Sequence, residues 1–216
     1  MTKEENDQKN RQPDKVREES VYYAETGKKQ GEYTIEDYYA LPDDVRAELI
    51  DGEIYDMSAP QVAHQVLLGS LFNRLSEFIK RKGRQCLPLV APVDVQLDMD
   101  DKTMVQPDIL VLCNRDKLKK RVIYGAPDMI IEILSKSSWK KDTFFKLGKY
   151  LDAGVREYWV VDPDRKKVVV YDFEHSPTTV IYGFEEQVPV RIFGGECVID
   201  FSEIYREIEF LYEMDE

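Results

Sequence analysis

The run Met129-Ile130-Ile131-Glu132-Ile133-Leu134 places one carboxylate inside an otherwise unbroken apolar stretch. A strand that is apolar at consecutive positions is covered on both faces, so this segment belongs inside a sheet with layers above and below it. Side chains alternate along a strand. Glu132 therefore shares a face with Ile130 and Leu134, while Ile131 and Ile133 point the other way. An isolated carboxylate in such surroundings costs on the order of several kcal/mol unless a cation compensates it. A metal ion is the simplest compensating cation, and a buried ion pair with a basic residue such as Lys146 is the alternative.

At 216 residues and 43% hydrophobic, the chain suits one well-cored domain and is short for two. Residues 1–30 are polar and charged with almost no apolar periodicity, which predicts a flexible charged tail before a domain over 31–216. No apolar run approaches the length of a membrane span, and the amino terminus lacks the apolar core of a secretory signal. A cytoplasmic location and no membrane partner are expected. Cys86, Cys113 and Cys197 are isolated, odd in number and without a CxxC, so buried free thiols are expected rather than a zinc knuckle or disulfides.

The net charge of -12 argues against a general nucleic-acid coat. Its distribution is uneven, since Arg115 to Lys149 holds ten Lys or Arg against four Asp or Glu, and this basic stretch brackets Glu132. A site facing a polyanion on an acidic body has that asymmetry, and so does an ordinary salt-bridged surface.

Thr34-Ile35-Glu36-Asp37 has the pattern of a helix cap. Asp51-Gly52 between apolar flanks predicts a hairpin over Glu48 to Met57. Apolar positions from Ala63 to Ile79 fall on one face of a helix over residues 61–82, stopped at Gly83. Strands are expected over 93–97, 109–112 and 129–134, then a helix over 140–153 closed by Gly154. A hairpin over 157–171, short strands near 179–182 and 196–199, and a helix from Ser202 complete the order. This order fits an α/β fold with helices flanking a mixed central β-sheet, rather than a fully parallel one.

Pro107-Asp108 opens the strand before the Glu132 strand. If the two strands are neighbours, the carboxylates of Asp108 and Glu132 meet across the sheet and suit magnesium or manganese, which proteins hold with one or two carboxylates. Asp142, Lys146 and Tyr150 share a helical face at spacings of four.

These residues carry a family resemblance. Pro107-Asp108, then Ile131-Glu132-Ile133-Leu134-Ser135, then Asp142, Lys146 and Tyr150, then Gly154-Val155 with Glu157 through Pro163, resemble the Uma-two family of restriction-endonuclease-like proteins in the PD-(D/E)XK nuclease superfamily. Tyr33-Thr34, Glu48 through Gly52, and His64 fit as well, so the resemblance spans about Tyr33 to Tyr205. It implies a restriction-endonuclease-like core and a magnesium- or manganese-dependent endonuclease acting on DNA. Asp108 and Glu132 would be metal ligands, with Glu48 and Lys146 completing the catalytic set and His64, Lys136, Asp142 and Tyr150 in support. Leu134 stands where the superfamily pattern has lysine. Lys136 and Lys146 are the two replacements, and the family's placement of its lysine on the following helix favours Lys146.

Blander readings exist for each residue. Asp108 after proline is an ordinary strand-end residue, Asp142 an ordinary first-turn helix acid, and His64 a structural hydrogen-bonding group. Trp139 and Trp159 read as core or boundary aromatics, because no ladder of exposed aromatics accompanies them. Asp98, Asp100 and Asp101 read as a solvated loop. The alternative function is a nuclease-fold module that binds nucleic acid or protein without turnover. A homodimer is the simplest arrangement for cutting both strands of a duplex.

Overall fold

The computed structural model describes residues 27–98, 100–135, 141–175 and 179–214. Lys136, Trp139 and residues 1–26 of the expected tail lie outside the described residues.

The fold begins with a short helix, α1 (Ile35–Tyr39), whose start is a reciprocal cap. The Thr34 side chain accepts from the Asp37 amide, and the Asp37 carboxylate accepts from the Thr34 amide. Strands β1 (Ala47–Ile50) and β2 (Glu53–Asp56) then pair antiparallel around Asp51-Gly52. Both turn residues have positive φ, 53° and 76°, the geometry that Asp-Gly favours. Glycine is also required by space, since a Cβ on Gly52 would come within 2.5 Å of the Gly31 carbonyl oxygen.

Helix α2 (Val62–Arg81) buries Leu67, Leu71 and Leu75 completely. Each such leucine contributes about 1.5–3 kcal/mol by leaving water. Strands β3 (Leu87–Val90), β4 (Val95–Gln96), β5 (Ile109–Leu112), β6 (Ile123–Tyr124) and β7 (Met129–Ile133) follow. A π-helical turn at Lys141–Phe145 leads into α3 (Lys146–Ala153). The chain continues with β8 (Glu157–Asp162), β9 (Lys167–Asp172), β10 (Thr179–Gly183), β11 (Gln187–Val190) and β12 (Cys197–Asp200), and then α4 (Phe201–Ile208), capped by the Asp200 carboxylate.

The central sheet runs β10-β9-β8-β7-β5-β3. Its β7–β8 pair is parallel and its other pairs antiparallel, so the sheet is mixed, as expected. Alternation along the strands divides the core in two. Ile109, Val111, Ile131, Ile133, Trp159 and Val161 join α2 and α4 on one face. Leu110, Leu112, Ile130, Leu134, Tyr158 and Val160 join Tyr150 of α3 on the other. The β1–β2 hairpin is tied to the segment before β5 through paired backbone bonds between Leu49 and Met104, at 2.8 and 2.7 Å. The parallel step from β7 to β8 needs a crossover, and α3 supplies it, laid over the face that carries Glu132.

Three strands had no counterpart in the sequence reading. β3 and β11 contain Pro88 and Pro189, which remove a ladder donor and demote a run that is otherwise strand-like, and β6 is two residues long. Pro88 is tolerated because β3 lies at the edge of the sheet. The thiols need a correction as well. Cys86 and Cys113 form a disulfide, because the β3–β5 register sets Leu87 opposite Leu112 and so brings the flanking cysteines face to face. Cys197 is the free, buried thiol that the sequence led us to expect. Among the described residues no helix is long and apolar enough to cross a membrane.

Candidate active site

Antiparallel pairing of β5 with β7 sets Ile109 opposite Ile131, which brings Asp108 opposite Glu132. The two meet: the Asp108 amide lies 3.4 Å from Glu132 Oε2, and Asp108 Oδ2 accepts from the Ile133 amide at 2.8 Å. His64, in the first turn of α2, reaches the same Asp108 oxygen through Nε2 at 3.1 Å. The helix crossing supplies the third side. Asp142, Lys146 and Tyr150 point inward at 3%, 2% and 0% exposure, one above another along the turn and α3.

Lys146 Nζ lies 2.8 Å from Glu132 Oε1, 2.8 Å from Glu48 Oε1 and 3.4 Å from Asp142 Oδ1. Tyr150 donates its hydroxyl to Glu132 Oε1 at 2.6 Å. Glu48 comes from β1, accepts from the Gln106 amide at 2.9 Å and holds Lys141 at 2.6 Å through Oε2. The side chains singled out in the sequence thus converge, apart from Lys136, which lies outside the described residues. His64 belongs to the group through Asp108 alone among its partners here.

Burial and charge set the protonation states in opposite directions at the two glutamates. Desolvation would raise Glu48, but Lys146 and Lys141 together overcome it and hold the carboxyl at about 2. At Glu132 desolvation prevails. Lys146 pulls it down, yet Asp142, Asp108 and Glu48 add repulsion, and the carboxyl is pushed up to about 8. Desolvation would lower Lys146, but Glu132 and Glu48 keep its ammonium charged well above the usual lysine range. The ion pair with Lys146 foreseen as the bland account of Glu132 is therefore present, and it leaves Glu132 only partly compensated.

That residual frustration bears on whether a hard cation fits. Glu132 Oε1 takes both strong donors, while among the described residues Oε2 has only the long contact to the Asp108 amide, and the nearby Asp108 charge repels it. A divalent ion between these carboxylates would remove their mutual repulsion, and oxygen donors are the ligands that magnesium and manganese prefer. Among the described residues no three His, Cys, Asp or Glu are grouped to hold a metal, and Asp108 and Glu132 are the candidate donors, a pair within the usual complement for magnesium. The groups line a cavity of about 830 Å³, which Glu48, His64, Asp108, Glu132, Lys141 and Lys146 share.

Sequence reasoning missed several lining residues. Lys141 stood in a basic stretch with nothing to separate it from its neighbours. Tyr55, Phe145 and Arg46 also line the cavity. A signal existed for the aromatics: adjacent phenylalanines in one helical turn cannot both face the core, and Phe144 and Phe145 are 63% and 46% exposed.

The comparisons with known proteins agree with this architecture. No curated protein matches the chain. A solved structure from Anabaena variabilis, described as "a putative nuclease belonging to DUF820", superposes with a TM-score of 0.67 at 22% identity, over 80% of this chain and 97% of its own. At that identity the likeness speaks for the fold, which in this chain is α/β with a mixed central sheet. The family Uma2, described as "Putative restriction endonuclease", matches residues 35–201, the stretch from α1 to the start of α4 that contains every group described above. The protein therefore belongs to the Uma2 family.

Proposed function

We propose that the chain is a metal-dependent endonuclease that hydrolyses DNA phosphodiester bonds, with magnesium or manganese as cofactor. The observation that carries this reading is the meeting of Asp108 and Glu132, distant in sequence, beside the Lys146 ammonium at the wall of one cavity. The family's description and that of the Anabaena structure point to nuclease chemistry.

Asp108 and Glu132 would hold the metal, which when bound lowers the pKa of a water and offsets charge on the phosphate. Asp108 is held ready for that task by the Ile133 amide and His64. Lys146, fixed as a cation by Glu48 and Glu132, would stabilise negative charge growing on the phosphate oxygens without having to reorganise. Tyr150 and Asp142 fix the orientation of Glu132 and Lys146 rather than touching substrate. Lys141 neutralises the far oxygen of Glu48, which leaves Lys146 less strongly claimed.

One observation favours a second reading, a nuclease-fold module that binds without turnover: the Lys146 ammonium already contacts three carboxylates. Plasmid nicking in magnesium or manganese separates the two. Cleavage that disappears in Glu132→Ala supports the enzyme, and salt-sensitive DNA binding with no nicking at any metal concentration supports the module.

A further inference from the structure

The cavity differs between floor and mouth. At the floor, Glu132 and Lys146 are 3% and 2% exposed. A flexible single strand bends into such a recess at little cost, whereas a stiff double helix must be deformed to follow it.

The mouth has the matching chemistry. Phe145, 46% exposed, packs against Tyr55 of β2 with ring centroids 6.3 Å apart, and the two form an aromatic wall on the cavity. Lys141 Nζ lies 5.9 Å from the Tyr55 ring centroid. Arg46, just before β1, is exposed on the same cavity, where a guanidinium suits a phosphate in two-pronged fashion. The volume of about 830 Å³ falls in the range of sites that enclose small organic groups. Because the whole chain carries a charge of -12, long-range attraction to a polyanion is not available, and binding must rest on local contacts of this kind.

We propose that this mouth binds one unstacked nucleotide of a single-stranded nucleic acid, its base lying on the Phe145–Tyr55 wall and a flanking phosphate on Arg46. The substrate of the site is then single-stranded or locally opened DNA. The inference rests on the nuclease reading for the bond that is cut, and on the mouth alone for the binding. Every base offers a flat π-face, so stacking confers affinity without a sequence preference.

Fluorescence anisotropy with the full-length chain tests it, using a labelled thymidine decamer, an abasic strand of the same length, and the decamer's duplex. The thymidine strand should bind at least about tenfold tighter than either of the others, the size expected from stacking one base. Phe145→Ala should bring it to the level of the abasic strand, and Phe145→Tyr should restore it. Arg46→Ala should weaken both single strands alike. The substituted side chains are exposed, and a circular dichroism melt verifies that the variants fold. Equal affinity for normal and abasic strands, duplex binding as tight as single-strand binding, no binding to any strand, or equal losses on both single strands in Phe145→Ala would each overturn the proposal. The expected binding pattern without metal-dependent cleavage would remove the nuclease reading and leave this one standing. Equal cleavage of duplex and single strand would do the reverse.

Discussion

The Lys146 ammonium sits 2.8 Å from Glu132 Oε1 where neither side chain is more than 4% exposed. A buried pair of this kind contributes little against an apolar replacement of both partners, but removal of one partner strands the other's charge. Lys146→Met should destabilise the fold by about 3–5 kcal/mol in urea denaturation at neutral pH. Glu48→Gln in that background should recover part of the loss, because Glu48 is the partner that Lys146 and Lys141 hold ionised. Stability of Lys146→Met within about 1 kcal/mol of the parent, the scale of an exposed pair, would show that the ammonium is not what compensates the glutamates.

The opposite shifts of Glu132 and Glu48 give a pH signature. Desolvation, with Asp142, Asp108 and Glu48 outweighing Lys146, raises Glu132 from 4.5 to about 8, so the folded state holds that proton more tightly than the unfolded one. Its contribution is full below 4.5 and lost as pH rises through about 8. Glu48, lowered from 4.5 to about 2 against desolvation by Lys146 and Lys141, stabilises above 4.5 and loses its contribution as pH falls toward 2. Melting curves from pH 5 to 9 should therefore show metal-free wild type weakening with pH relative to Glu132→Gln, and manganese reducing the difference at the alkaline end. Parallel curves for the two proteins would refute this assignment.

His64 touches Asp108 and not Glu132, so it offers a way to disturb one metal ligand at a distance. Groups that orient a ligand typically contribute about ten- to a hundredfold in metal affinity or activity. His64→Ala should weaken manganese binding by that factor in calorimetry, with the unfolding midpoint of the metal-free protein little changed. Unaltered affinity would make His64 a packing residue.

Glu157 is a buried acid away from these groups, fully inaccessible, and its partners are different in kind: it accepts from the Trp159 indole at 2.7 Å and from the Ile192 amide at 2.9 Å. Burial raises its carboxyl, and no lysine faces it among the described contacts. Glu157→Ala leaves the buried Trp159 indole without a partner, at about 1–3 kcal/mol, and removes the acceptor of the half-buried Ile192 amide, whereas Glu157→Gln keeps an acceptor oxygen. Urea denaturation should rank Gln well above Ala, and cleavage per folded molecule should stay near wild type in Glu157→Gln. A cleavage defect in Glu157→Gln equal to that of Glu132→Gln would mean that burial of an acid, not its place on the cavity, marks the site.

The sequence alone determined the local units and the chemistry they carry. The apolar run around Glu132 could only be an interior strand, because alternate faces both required cover, and both are covered. Asp51-Gly52 dictated a primed turn, and the spacing of Asp142, Lys146 and Tyr150 aligned them on one face before any partner was known. Only the tertiary structure decided which side chains meet across space. The antiparallel register of β5 on β7 brings Asp108 to Glu132, and the crossover of α3 drops Lys146 between Glu132 and Glu48. The β3–β5 register pairs Cys86 with Cys113, and the π-helical turn leaves Phe145 at the cavity mouth. Periodicity records which face of its own element a residue occupies, whereas contacts between elements depend on register and crossing geometry, which are set by the packing of the whole core at once.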